Sequence, residues 1–181
     1  MYGIINKAIQ DLVTEYFGAE KWEQVKLASN INVDYFLSNE GYDDRITYQL
    51  AGAISEVANI PLSQVLFTFG EYWILKTGAE KYGRLMEAGG HNLLEFLENL
   101  PHFHNRIMMI YPKLTPPEFK VTDITTNSIH VHYFSKREGL QDFVRGLLSG
   151  LGKMYKTDVD IELLQNRLDG DSHEIFKVSW K

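Results

Sequence analysis

The chain contains no cysteine. Disulfides, thiolate nucleophiles and Cys-ligated zinc or iron–sulfur centres are therefore excluded together. Positive charge is also in short supply. The formal net charge is −6, and Lys and Arg are scattered without a polybasic run. Nucleic acid and anionic membrane both demand a basic stripe or patch, so neither is expected as a partner. No apolar run is long enough to span a bilayer, and Met1–Val13 lacks a cationic stretch leading into an unbroken apolar one. Neither a membrane span nor a signal peptide is expected, which makes a soluble cytoplasmic protein the default. Internal repeats, low-complexity tracts and flexible linkers are missing as well. What remains is a chain of 181 residues, 44% hydrophobic and 13% aromatic. That suffices for one domain over 1–181, or two intimately packed halves, with a real core.

Periodicity divides the chain into a helical part (about 1–111) and a sheet-containing part (about 112–181). Ile4, Ile5, Ala8, Ile9, Leu12, Val13 and Tyr16 recur at three- and four-residue steps, one face of an opening helix. Ile46, Leu50, Ile54 and Val57 make a second stripe. Pro61 starts a third helix with Leu62, Val65, Leu66, Phe69 and Trp73 on its inner face. Leu93–Leu100 reads as a short helix that Pro101 breaks while beginning another. Beyond Pro112 the period changes. Phe119–Thr122, Ser128–Lys136, Asp158–Arg167 and His173–Trp180 read as strands, the last two joined by a tight turn at Asp169-Gly170. One long helix, Glu138 to Tyr155, lies between the second and third strands. The expected fold is α+β: N-terminal helices and a four-stranded antiparallel sheet crossed by one helix.

Of the six histidines, two lie just after Pro101. His102 and His104 are about 200° apart on a helix, so they cannot share a face. His104 aligns with Leu100, Ile107, Met108 and Tyr111, whereas His102 aligns with Asn105 and Arg106. His104 therefore points inward. A lone inward histidine is commonly a hydrogen-bonded core residue; an imidazole among Leu, Ile and Met is equally what a haem's proximal ligand needs.

On the second strand, alternation puts Ile129, Val131, Tyr133, Ser135 and Arg137 on one face. It begins apolar and ends in a phenol, a hydroxyl and a guanidinium. Three converging donors ask for an anion, and Arg137 offers the fork that matches a carboxylate. No acidic residue on that strand face could serve. The plain alternative puts Arg137 at a strand end in solvent, with Tyr133 capping the core.

Tyr133-x-Ser135-x-Arg137, read as YFSKR, resembles the YxSxR motif of haem nitric-oxide/oxygen-binding (H-NOX) domains, the family related to the haem domain of soluble guanylate cyclase. The resemblance runs the length of the chain through MYGIINKAIQ, FGEYW, NLPHFHNR, PPEF and GLLSGLGK, and is strongest to stand-alone bacterial members of cyanobacterial type. It implies haem b between the helices and the sheet, held by His104 on the iron and by Tyr133, Ser135 and Arg137 on the propionates. It implies haem contacts at Pro117, which would bend the ring, and at Ile5 and Leu147. Ile9, Trp73, Phe143 and Leu147 match distal-pocket positions, although ordinary core packing explains them too. The implied function is sensing of nitric oxide (and CO) at ferrous haem, without catalysis. In the family, nitric oxide weakens the iron–histidine bond and frees the ligand helix. With no effector domain expected before Lys181, the output would pass to a separate histidine kinase or diguanylate cyclase. Oxygen-binding members use a distal tyrosine where this chain has Phe143, so oxygen is expected to be excluded.

Other groupings carry less. Gly146 and Gly150, one turn apart, would let a flat ligand or a strand approach, and helix-on-sheet packing explains them as well. His130-x-His132 has metal-ligand spacing, with His173 able to approach from another strand, but that face also bears Ser128 and Lys136 and reads as solvated. Asp169-Gly170-Asp171 lacks the spacing of a calcium loop. No Ser-His-Asp grouping or phosphate-cradling loop stands out, and a peroxidase would need distal acid–base groups that Ile9, Trp73, Phe143 and Leu147 do not supply. The rival reading is a haem-free α+β scaffold or lipid-type binding module.

Overall fold

A computed structural model describes residues 1–110 and 115–181, with the backbone alone for Ile110. The chain forms two compact units, Met1–Phe69 and Gly70–Lys181.

The first unit is helical: α1 (Gly3–Phe17), α2 (Ala19–Ser29), α3 (Asp44–Ala58) and most of α4 (Leu62–Tyr72). Ile4, Ala8, Ile9, Leu12 and Val13 are buried on α1 as the stripe requires, while Ile5 is half-buried and Tyr16 exposed. Asn6 is buried between α1 and α3, where its side-chain oxygen accepts a 2.6 Å hydrogen bond from Thr47. The α-amino group of Met1 pairs with Asp44. The sequence pattern missed α2, whose buried positions are only Trp22, Val25 and Ser29; so thin a stripe gives periodicity little to register. Leu62, expected on the inner face of α4, is exposed.

In the second unit α4 passes into a π-helical turn, Trp73–Gly78, followed by α5 (Ala79–Glu87) and α6 (Leu93–Ile110). The strands are β1 (Glu118–Thr122), β2 (Ser128–Phe134), β3 (Val159–Gln165) and β4 (Glu174–Trp180). They form one antiparallel sheet in the order β1-β2-β4-β3, and α7 (Gln141–Met154) makes the crossing between β2 and β3. Ile129, Val131, Phe176 and Val178 are fully buried on one sheet face, where they pack with Val144, Leu148 and Leu151 of α7 and Phe96, Leu97 and Leu100 of α6. This is the α+β architecture the pattern predicted.

Three local expectations change. Pro101 does not break its helix, because α6 runs straight through it. Leu93, Phe96, Leu97, Leu100 and Ile107 form one continuous buried stripe on both sides of the proline, and burial of that stripe outweighs a local cost of about 3 kcal/mol. The β3–β4 connection is no two-residue turn. It is a 3-10 turn, Arg167–Asp169, closed by Gly170 at φ 98°. Finally, β2 stops at Phe134, so Ser135 and Arg137 lie in a bend beyond the strand. No single helix among the described residues is long and apolar enough to cross a membrane.

Candidate functional site

Helical phase separates the two histidines of α6 as expected: His102 is exposed and His104 half-buried. The inward face around His104 holds for Leu100 and Ile107, which are buried, but Met108 reaches the surface; Tyr111 lies outside the described residues. The imidazole is crowded enough that burial pushes its pKa below the ordinary histidine value, only partly offset by the carbonyl of Leu100. It is neutral at pH 7. Nδ1 faces the Leu100 oxygen at 3.4 Å, a long contact that favours the Nδ1–H tautomer and leaves the lone pair on Nε2. Among the described residues Nε2 has no hydrogen-bond partner. A neutral imidazole with its acceptor nitrogen unused is the form that coordinates a metal centre.

Phe119 of β1 links this histidine to the sheet. Its ring centroid lies 5.1 Å from that of His104 and 5.4 Å from that of Tyr133, its partner in the β1–β2 register. Tyr133 is 3% exposed. Burial raises its pKa, and a hydrogen bond with Ser135 works in the opposite direction, so the phenol is a neutral donor at pH 7. In the bend that follows, the Arg137 N–H donates to Ser135 Oγ at 3.0 Å. The Arg137 guanidinium donates to the Thr115 carbonyl, also at 3.0 Å. The three motif residues thus converge by a bend and not by strand alternation. Pro117, half-buried, stands two residues before Phe119.

A second group gathers where α7 meets the α4–π-turn segment. A Cβ on Gly70 would fall 2.3 Å from the Phe143 oxygen and 2.6 Å from the Leu147 nitrogen. One on Gly150 would fall 2.9 Å from Ile74 Cβ. Gly150 and the backbone at Gly146 therefore admit a neighbouring helix, where a flat ligand, a strand or helix-on-sheet packing was the expectation. Two further bonds tie the pair of helices: Ser149 donates to Glu71 at 2.6 Å, and Lys153 pairs with Glu71 at 2.6 Å. Trp73, Phe143 and Leu147, all half-buried, are brought onto these two adjoining elements. The π turn begins at Trp73 itself, and such turns concentrate at functional sites. Because backbone and not a flexible side chain blocks that Cβ, Gly70→Ala should destabilise the fold by about 1–3 kcal/mol, read as a drop in Tm; an unchanged Tm would show that the helices can separate freely. Ile5 and Ile9 belong to α1 of the first unit, Ile9 buried and Ile5 half-buried.

Sequence reasoning overlooked Arg167 and Glu174. Glu174 lies directly across the β2–β4 ladder from Tyr133 and is 1% exposed, so an acidic residue does adjoin the motif. Its two-residue phase with Phe176 and Val178 was the available signal. The histidine pair on the other sheet face resolves as hydrogen bonding. His132 Nδ1 lies 2.9 Å from His173 Nε2, and His130 turns to Asp123 at 3.0 Å. Among the described residues no group of three or more His, Asp or Glu is arranged to hold a metal ion.

Comparison with known proteins gives this geometry its class. The fold is that of H-NOX proteins. It superposes on the crystal structure of an H-NOX protein from S. oneidensis in the Fe(II)NO ligation state with a TM-score of 0.91 at 18% identity, covering 100% of this chain and 99% of that one. It superposes on the Fe(II) unliganded H-NOX protein from K. algicida with a TM-score of 0.87 at 24% identity, covering 100% and 97%. The haem-NO-binding family model matches residues 2–163, and the chain belongs to that family. Among its relatives is the soluble guanylate cyclase gcy-31 of Caenorhabditis elegans, 26% identical over 165 residues, which are 91% of this chain and 24% of the cyclase. The beta-2 subunit of rat soluble guanylate cyclase is 30% identical over 126 residues, 66% of this chain and 18% of that subunit. The chain thus spans about a quarter or less of these relatives. Haem is the cofactor the family binds. The residues present suit it: a neutral imidazole with an unused nitrogen beside Phe119, and against the same ring the Tyr133 phenol, with the Ser135 hydroxyl and the Arg137 guanidinium following in the bend.

Proposed function

We propose that this chain holds haem b with His104 as the iron ligand and Tyr133, Ser135 and Arg137 on the propionates, and that it senses nitric oxide and CO while excluding oxygen. The observation that carries the reading is the row His104–Phe119–Tyr133, which joins a neutral imidazole to the tyrosine that begins the YFSKR motif. Bound haem supplies the iron that takes a diatomic gas. The chain's own residues do the rest. With haem bound, His104 would offer Nε2, the motif would neutralise the propionates, and Pro117 would press on the ring. The family resemblance gives Trp73, Phe143, Leu147 and Ile9 the gas side and Ile5 a contact on the ring. Helix α6, carrying His104, would be the two-state element that a switch requires. The output goes to a separate histidine kinase or diguanylate cyclase, and the cyclase relatives, which carry the matching region within longer chains, support a domain that informs another. The role is binding and signalling, not catalysis.

Gas choice follows from Phe143. Holding oxygen at ferrous haem calls for a buried donor worth about 1.5–3 kcal/mol, one to two decades in affinity. Phe143 has none to give, and nitric oxide binds iron without that help. Protein reduced without air should show a Soret band and keep its gas-free spectrum once air is admitted, then shift with nitric oxide. A stable oxygenated spectrum would refute the Phe143 argument; no Soret band after haem reconstitution would favour the haem-free module instead.

A further inference from the structure

A site for two carboxylates has a buried carboxylate beside it. Glu174 is 1% exposed and faces Tyr133 across the β2–β4 ladder. Left alone, it would repel a propionate and disfavour any added negative charge at the phenol, and it is among the groups that raise the Tyr133 pKa. Arg167 meets this from the turn between β3 and β4. Its Nε donates to both carboxylate oxygens of Glu174 at 3.0 Å. Its two remaining nitrogens donate elsewhere: one to the Ser135 carbonyl at 2.7 Å, the other to the Arg137 carbonyl at 2.5 Å. The side chain is 18% exposed, so these bonds are well shielded.

Both carbonyls belong to motif residues in the bend after β2, beyond the last ladder pair at Phe134. With no strand pairing there, something else must fix the bend, and Arg167 bonds it at two alternate residues. The turn that presents Arg167 is itself held. The Asn166 side chain accepts from the Leu168 N–H at 3.2 Å, and Asp171 accepts from the Asn166 N–H at 2.8 Å.

We propose that Arg167, with Glu174 as its counter-ion, is the positioning residue of the propionate clamp: it cancels the buried anion next to the site and holds the Ser135–Arg137 bend so that both side chains reach the same ligand. The inference rests on the haem reading above, and its test is built to fail separately. The full chain is reconstituted with ferric haem, or with the same porphyrin as its dimethyl ester, which has no carboxylate for the clamp. Release of each to an excess of apoglobin is then timed. The unmodified protein should release the ester about tenfold faster or more than haem, the worth of one charge-assisted hydrogen bond. In Arg167→Gln, haem should leave about tenfold faster while ester release stays nearly constant, so that the ratio falls toward one. Arg167→Lys keeps a cation for Glu174 but loses the fork; it should lie between the two, and it carries the comparison if the glutamine variant does not fold. Variants that release both porphyrins faster in an unchanged ratio would show Arg167 to be merely structural and overturn the proposal. An unmodified protein that does not discriminate haem from its ester would instead refute the clamp itself.

Discussion

Replacing His104 with alanine is expected to abolish haem retention, or to make it depend on added imidazole, whereas His102→Ala leaves the spectrum essentially unchanged. The two residues are of one type, two positions apart on α6, and differ only in where the helix turns them. His102 is exposed, so its loss removes nothing from the interior. His104 brings a neutral ring to the wall formed with Phe119, and its Nδ1 contact with Leu100 leaves Nε2 for the iron. Burial already favours the neutral, coordinating form over the protonated one, so no proton has to be displaced at pH 7. Alanine opens a hole the size of an imidazole beside Phe103 and Phe119. Free imidazole can fill it and restore the ligand without the backbone connection. Spectra of both variants after haem reconstitution, with and without imidazole, decide the matter. If His102→Ala bleaches the protein and His104→Ala stays red, the assignment of faces is wrong.

Much of the second unit was legible because its elements obey a period. Alternation found Ile129, Val131 and Tyr133 pointing inward, and the structure buries all three. The crossing helix was readable from its position between strands; in the first unit, α1 was readable from a stripe of apolar residues. What could not be read was decided by tertiary packing. A proline inside α6 looks like a stop until the apolar stripe on both sides is seen to bury against one core. Strand ends are weakly written, so alternation carried Ser135 and Arg137 along a strand that had already ended at Phe134. The same donors converge all the same, because a bend held by Arg167 substitutes for the pleat. Arg167 and Glu174 are separated from the motif by α7 and β3. Only the strand order β1-β2-β4-β3 brings them beside it, and local spacing contains no trace of that order.

The clamp carries the second large effect. The triple variant Tyr133→Phe, Ser135→Ala, Arg137→Met should lose haem faster by orders of magnitude, while each single change should do less. A hydrogen bond to a charged group is worth about 1.5–3 kcal/mol, so three donors removed together leave the propionates with little but water. The effects will not simply add. The Arg137 N–H donates to Ser135 Oγ, and Ser135 hydrogen-bonds Tyr133, so each loss slackens the next group. Phenylalanine at 133 retains the ring against Phe119, which confines the change to the hydroxyl. Methionine at 137 also gives up the bond to the Thr115 carbonyl, and some of its effect will come from that segment loosening. His104 is untouched in all of these, so the reduced, gas-free spectrum should be unaltered even as haem departs quickly. Transfer of haem to an apoglobin measures the rate. A triple variant that releases haem no faster than the unmodified protein would mean that the motif holds nothing, however well its side chains converge.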